Sequence, residues 1–273
     1  MLVILGSSHR QRSKRMRKNY IVFTDLDGTL LDHHDYSHAA AQTALDRLSL
    51  LDIPVILNSS KTLSELEFIA RDLNLNSPRI AENGSLVAYP DTGKMHVFGA
   101  DYSQICQQLV DLRERHDYCF KGFSDWSAQQ IAEITGLSVE AAERAGSRLA
   151  SEPLLWQDDE ALLKPFREQL ASAGLSLKRG GRFWHVMGNA DKVHAMNYLK
   201  QEYSKGDDTP VVIALGDGPN DRDMLAAADI AIIVYNPDGV NIDIPDREDQ
   251  RVIRTELPGP QGWGATINAL LDE

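Results

Sequence analysis

The chain has 273 residues, 42% of them hydrophobic and 25% charged, enough apolar material for one core plus a second, smaller module and too much for a disordered chain. Its 28 lysines and arginines face 40 aspartates and glutamates, a formal net charge of -12 that argues against a nucleic-acid or anionic-membrane partner without a compensating basic patch. The two cysteines, Cys106 and Cys119, form neither a CxxC pair nor a disulfide framework, so a reducing, cytoplasmic setting is expected and thiol chemistry has no support.

The N-terminus runs Met1-Leu2-Val3-Ile4-Leu5 and turns basic between His9 and Lys18, the reverse of a signal peptide's order, and its apolar run is too short to span a membrane. Residues 1–19 read as an extension ahead of the first strand. Tyr20 to Thr24 is a β-branched and aromatic run that delivers Asp25 into a loop containing Gly28. Ala41, Ala44, Leu45, Leu48 and Leu51 recur at helical spacing, and Ile53 to Leu57 gives a second strand that ends at Asn58-Ser59-Ser60. Thr62-Leu63-Ser64-Glu65 has the form of a capping box ahead of a helix carrying Leu66, Ile69, Ala70 and Leu73. Arg79 to Ala81 predicts a third strand before Glu82-Asn83-Gly84. The alternation resumes with a helix capped by Asn189 and carrying Val193, Met196, Leu199 and Tyr203, then strands at Val211 to Leu215 and Ile230 to Val234. Strands alternating with helices predict an α/β fold with a doubly wound parallel sheet.

Between these halves lies a segment long enough for a small domain, with helix candidates at Ile105 to Leu112 and Val139 to Leu149. The expected organisation is a core of residues 20–87 and 188–273 with an inserted α+β cap over 88–187.

Asp25-Leu26-Asp27-Gly28-Thr29 sets two carboxylates two residues apart at a strand end, where both can enter one crevice. Such a pair can divide nucleophile and acid/base roles, although the same residues also suit a polar turn. An EF-hand is excluded because its sixth and twelfth positions would be Leu30 and Tyr36, and no Walker sequence occurs. Gly216-Asp217-Gly218-Pro219-Asn220-Asp221 again follows an apolar strand. The helix macrodipole accounts for acids at the start of the next helix, Asp221 and Asp223, but not for Asp217 at the strand end. Asp217 with Asp25 would suit a hard cation such as magnesium. Lys192 lies in a first helical turn, where the dipole disfavours a cation; it is either a solvated surface lysine or a group placed to neutralise a phosphoryl transfer beside Ser59.

Together, Asp25-x-Asp27-Gly28-Thr29, Ser59, Lys192 and Gly216-Asp217-x-x-Asn220-Asp221 resemble the four ordered motifs of the haloacid dehalogenase-like phosphatases. The resemblance implies a Rossmann-like core, Asp25 as nucleophile and Asp27 as acid/base, with phosphoryl oxygens held by Ser59, Lys192 and Asn220. It further implies Mg2+ on Asp25, Asp27 through its carbonyl, Asp217 and Asp221, directly or through water. Ser59-Ser60-Lys61-Thr62, Ala81-Glu82-Asn83-Gly84, Gly181-Arg182-Phe183-Trp184-His185 and Gly259-Pro260-x-Gly262-Trp263 resemble the mannosyl-3-phosphoglycerate phosphatases. That resemblance implies hydrolysis of 2-O-mannosyl-3-phosphoglycerate to the compatible solute mannosylglycerate. Arg182 and His185 are candidate contacts to the glycerate, but on an ideal strand they face opposite ways, so one of them alone would meet substrate. A glucosyl-3-phosphoglycerate or general sugar-phosphate phosphatase is the neighbouring reading, and a phosphomannomutase-like isomerase the reading from another class.

Overall fold

The structure, a computed structural model, describes residues 19–206 and 208–273; the basic run from His9 to Lys18 lies outside them. In chain order the first half of the core comprises β1 (Tyr20–Thr24), α1 (Gln42–Leu50), β2 (Val55–Asn58), α2 (Leu63–Asp72), β3 (Arg79–Ala81), β4 (Leu86–Ala88) and β5 (Met95–Val97). The inserted part follows as α3 (Tyr102–His116), β6 (Phe120–Gly122), α4 (Ala128–Thr135), α5 (Val139–Gly146), β7 (Ser151–Trp156), α6 (Leu163–Ser172), β8 (Leu175–Gly180) and β9 (Phe183–Gly188). The chain then returns through α7 (Lys192–Tyr203), β10 (Val211–Gly216), α8 (Arg222–Ala227), β11 (Ile230–Tyr235), β12 (Arg251–Pro258) and α9 (Gly259–Asp272).

The core is an eight-stranded sheet in the order β12-β11-β10-β1-β2-β3-β4-β5. The pairings from β12 to β3 are parallel, while β4 and β5 add on antiparallel. Alternation along β1 explains why helices cover both faces. Val22 packs with Leu45 and Leu48 of α1, Leu66 of α2 and Ile267 of α9, whereas Ile21 and Phe23 pack with Met196 and Leu199 of α7 and Met224 of α8. Each face thus buries a full layer of aliphatic side chains, and the central strands leave their polar ends at one edge of the sheet.

The second sheet, β6-β7-β9-β8, is antiparallel throughout. Its packed face joins Ile105 and Leu109 of α3 to Phe166 and Leu170 of α6. Sequence and structure differ in three places. Ala88 and Met95–Val97 pair into the core sheet, although a boundary at residue 87 assigned them to the insert. Helix α7 is capped by Asp191, whose carboxylate accepts from His194 N at 2.8 Å, rather than by Asn189. Helix α5 ends at Gly146, because residues 149–151 leave the helix to pack on the core, with Ala150 fully buried among core side chains.

Candidate active site

Asp25 leaves the end of β1 with its N–H bonded to Leu215 O at 3.0 Å, so the neighbouring strand fixes its backbone. Behind it the fully buried Trp263 donates its indole N–H to Thr24 Oγ1 at 3.0 Å, and that hydroxyl donates to Asp25 O at 2.7 Å. This gives the Gly259-to-Trp263 segment a role beneath the site. Lys192 Nζ donates to Asp25 Oδ1 and to Asp221 Oδ1, both at 2.7 Å. Lys192 is therefore not a solvated surface lysine: it is buried between two carboxylates.

Asp217 directly follows β10, and two donors fix its carboxylate: Thr29 Oγ1 to Oδ1 at 2.6 Å and Asn236 Nδ2 to Oδ2 at 2.7 Å. Gly28 passes so close, with φ 77°, that a Cβ there would lie 2.5 Å from Asp217 Oδ2. Asp221 Oδ2 accepts the N–H groups of Asp217 and Gly218 at 3.3 and 3.2 Å, which explains an acid at this turn by local hydrogen bonding as well as by its partner Lys192. Carboxylate oxygens of Asp25, Asp217 and Asp221 all lie within 4.8 Å of one another, a group that could hold a metal ion.

The electrostatics fit a cation. Burial, then the charge of Asp221, pushes Asp25 up to about 7 despite Lys192 beside it. Burial also raises Asp221 and Asp217. Burial would lower Lys192, but the carboxylates of Asp221 and Asp25 outweigh it and hold the ammonium well above its usual range. One ammonium cannot balance three buried carboxylates, and a divalent ion would supply the missing positive charge.

Asp27 Oδ2 pairs with Lys61 Nζ at 2.9 Å, while its Oδ1 is buried without a hydrogen-bond partner. Lys61 stays protonated because Asp27 and Glu65 offset its burial. The Asp27 carboxylate is not part of the group of three that could hold the ion. The capping box at α2 is present, Thr62 Oγ1 accepting Glu65 N and Glu65 accepting Thr62 N, so the loop Ser59-Ser60-Lys61 is anchored at its exit. Ser59 is buried and accepts Lys61 N; Ser60, its neighbour, lines the cleft.

The cleft, of ≈ 540 Å³, runs from Asp25, Asp27, Lys192, Asp217 and Asn220 to a cap wall of Lys178, Arg179, Gly180, Gly181 and His185. Of the two cap candidates His185 faces it, 8% exposed, held neutral by burial that lowers its pKa to about 3 and with Nδ1 unpartnered. Arg182 does not line the cleft. Residues 181 and 182 form a two-residue turn between β8 and β9, and the Arg182 guanidinium donates to Ile134 O of α4. The cations that do line the wall, Lys178 and Arg179, come from β8, which the sequence reading did not identify. Asn236 was also missed, since its only sequence signal is a polar residue just beyond an apolar strand.

A family profile described as haloacid dehalogenase-like hydrolase matches residues 22–143 and 153–239. The chain is similar to a glucosyl-3-phosphoglycerate/mannosyl-3-phosphoglycerate phosphatase from Methanococcoides burtonii, 37% identical over 272 residues that cover 93% of this chain and 96% of that one. Among solved structures it resembles a Thermoplasma acidophilum protein (TM-score 0.67, 19% identity, 93% of this chain and 99% of that one). It also resembles a phosphatase of the haloalkanoate (HAD) enzyme superfamily from Bacteroides thetaiotaomicron (TM-score 0.66, 22% identity, 97% and 98%). At these identities the two structures speak for the fold alone. The profile match and the Methanococcoides relative decide the assignment: this chain belongs to the haloacid dehalogenase-like hydrolases.

Proposed function

We propose that the protein is a magnesium-dependent phosphatase that hydrolyses a glycosyl-3-phosphoglycerate, with 2-O-mannosyl-3-phosphoglycerate as the preferred substrate, through an aspartyl-phosphate on Asp25. The observation that carries this reading is the buried carboxylate of Asp25 at a strand end, 2.7 Å from Lys192 and within reach of Asp217 and Asp221. Asp25, Asp217, Asp221 and the carbonyl of Asp27 would hold Mg2+, which when bound neutralises charge on the phosphoryl oxygens.

Asp25 attacks phosphorus and forms a P–O bond as the ester P–O bond breaks, and Asp27 gives its proton to the departing alkoxide. In the second half Asp27 takes a proton from water, whose oxygen attacks the phosphoryl group. The Asp25 carboxylate is restored and inorganic phosphate leaves. Lys61 orients Asp27 for both transfers, while Lys192, Ser59 and Asn220 stabilise the phosphoryl oxygens. On the cap wall, Lys178 and Arg179 supply the positive charge that a glycerate carboxylate requires and a plain hexose phosphate does not. Neutral His185 offers an unpartnered nitrogen to a sugar hydroxyl. The name of the Methanococcoides relative supports the same substrate class and includes both hexoses.

The test is phosphate release with magnesium, comparing mannosyl- and glucosyl-3-phosphoglycerate with simple hexose phosphates by kcat/KM. The expected outcome is a preference of at least about tenfold for a glycosyl-phosphoglycerate, equivalent to about 1.4 kcal/mol of transition-state binding. Even activity over hexose phosphates would reduce the protein to a general sugar phosphatase. Interconversion of a hexose phosphate without phosphate release would make it an isomerase.

A further inference from the structure

The Glu82-Asn83-Gly84 turn takes no part in the chemistry above, yet three parts of the molecule meet on it. Its residues hold consecutive left-handed conformations, with φ of 51°, 59° and 92°; asparagine and glycine tolerate that region, but the Glu82 side chain rarely adopts it. The backbone of the turn fixes the phosphate-side loop: Glu82 N donates to Lys61 O at 2.9 Å and Asn83 N to Ser59 O at 2.9 Å. The fully buried Glu82 carboxylate then reaches into the inserted domain. It accepts Leu149 N at 2.8 Å, Ala150 N at 3.1 Å and Ser151 Oγ at 2.6 Å.

A carboxylate removed from water needs such donors, and here the three come from one short segment of the cap. From the cap side, Arg148 donates to Ser60 O at 3.1 Å, so the segment and the loop grip each other in both directions. We propose that Glu82 is a positioning residue that sets the cap against the Ser59-to-Lys61 loop. It holds the cap wall of Lys178, Arg179 and His185 at the distance from Asp25 that a large phosphorylated substrate must span. A substrate too small to touch the cap does not depend on that distance. The kinetic consequence rests on the phosphatase reading above; the grip itself does not.

The experiment compares Glu82→Gln with wild type by two readouts. Glutamine keeps the shape but turns a donor toward peptide N–H groups, so the amides of Leu149 and Ala150 should exchange with solvent at least tenfold faster while those of β9 are unchanged. kcat/KM for mannosyl-3-phosphoglycerate should fall at least tenfold and that for p-nitrophenyl phosphate by less than threefold. Equal losses on both substrates would reduce Glu82 to a purely structural role and overturn the proposal. Unchanged exchange at residues 149 and 150 would equally overturn it. Should Glu82→Gln fail to fold, Ser151→Ala removes one of the three contacts and should give the same selective loss, threefold or more; an unselective loss refutes the proposal. Wild-type protein inactive on both substrates would refute the phosphatase reading instead, and the amide exchange would still decide the grip.

Discussion

Asp25 and Lys192 define each other: the ammonium holds the carboxylate at 2.7 Å, and burial with Asp221 nearby raises that carboxylate to about 7. Asp25→Asn removes the nucleophile proposed above and keeps the volume, so turnover should fall by on the order of 10³-fold or more. Because the variant also removes one of three crowded acids, its Tm in EDTA should not fall below that of wild type; phosphate release and a thermal scan check the two halves. His185 makes a separate prediction. Its folded pKa, lowered to about 3 by burial, lies below the ordinary 6.5, so below pH 6.5 the unfolded chain binds a proton that the folded chain refuses. Its contribution is complete above pH 6.5 and is lost as pH falls toward 3, reaching about 2 kcal/mol of lost stability at pH 5. Wild type should therefore lose more Tm between pH 7 and pH 5 than His185→Gln, whose difference from wild type isolates this imidazole from the carboxylates that titrate in the same range. At this scale the clustering of the strand-end carboxylates with Lys192 was legible because their types and spacing leave few alternatives. Lys178, Arg179 and Asn236 were not, since an isolated cation or amide carries no period and its role appears only when distant strands converge.

The elements that were easiest to read are those whose local rules and tertiary setting agree. Strands β1, β10 and β11 are continuous apolar runs because both of their faces are covered, and α2 carries its capping box. Strand β12 was not legible: its Arg251–Pro258 run mixes charged and apolar residues without a period of two and stays largely exposed at a sheet edge. Strands β4 and β5 are three residues each, too short for a period to register. The junction between β3 and α7 shows how tightly the elements constrain each other. Gly84, with φ 92°, lies so close to α7 that a Cβ would fall 2.0 Å from Asp191 O, one residue before Lys192. Neither partner there is a flexible side chain that can give way. Gly84→Ala should cost about 3 kcal/mol or more, which for a protein of this size lowers Tm by about 6–12 °C. The start of α7 must shift to admit the methyl group, so soluble Gly84→Ala should also lose turnover while Gly93→Ala, whose Cβ meets nothing within 4 Å, should keep it. Thermal scans beside phosphate release separate the two effects.

Across the whole molecule, an acidic chain of net charge -12 must attract an anionic substrate, and it does so by segregating charge. Lys178 and Arg179 stand on the cap wall of the cleft, while its floor sets Lys192 among Asp25, Asp27 and Asp217 and pairs Asp27 with Lys61, so positive charge collects on the cap face and negative charge at the floor. The same segregation leaves the floor with more carboxylate than ammonium. Asp25, Asp217 and Asp221 are each raised by burial, and folding therefore holds them together at a cost that a divalent ion would relieve. Binding to the folded chain alone stabilises it by about 2.7 kcal/mol at a hundredfold excess over Kd, or about 5–11 °C in Tm for this chain length. Magnesium added to metal-free protein should raise Tm by that amount without any substrate present. Asp217→Asn should abolish most of the rise, because Thr29 and Asn236 would then hold an amide where the ion needs an anionic oxygen. The same variant should melt at or above wild type in EDTA, since one buried acid has been removed. Magnesium that left wild-type Tm unchanged would show that the three acids are balanced by another means, and the metal-dependent reading would fall while Asp25 kept its place beside Lys192.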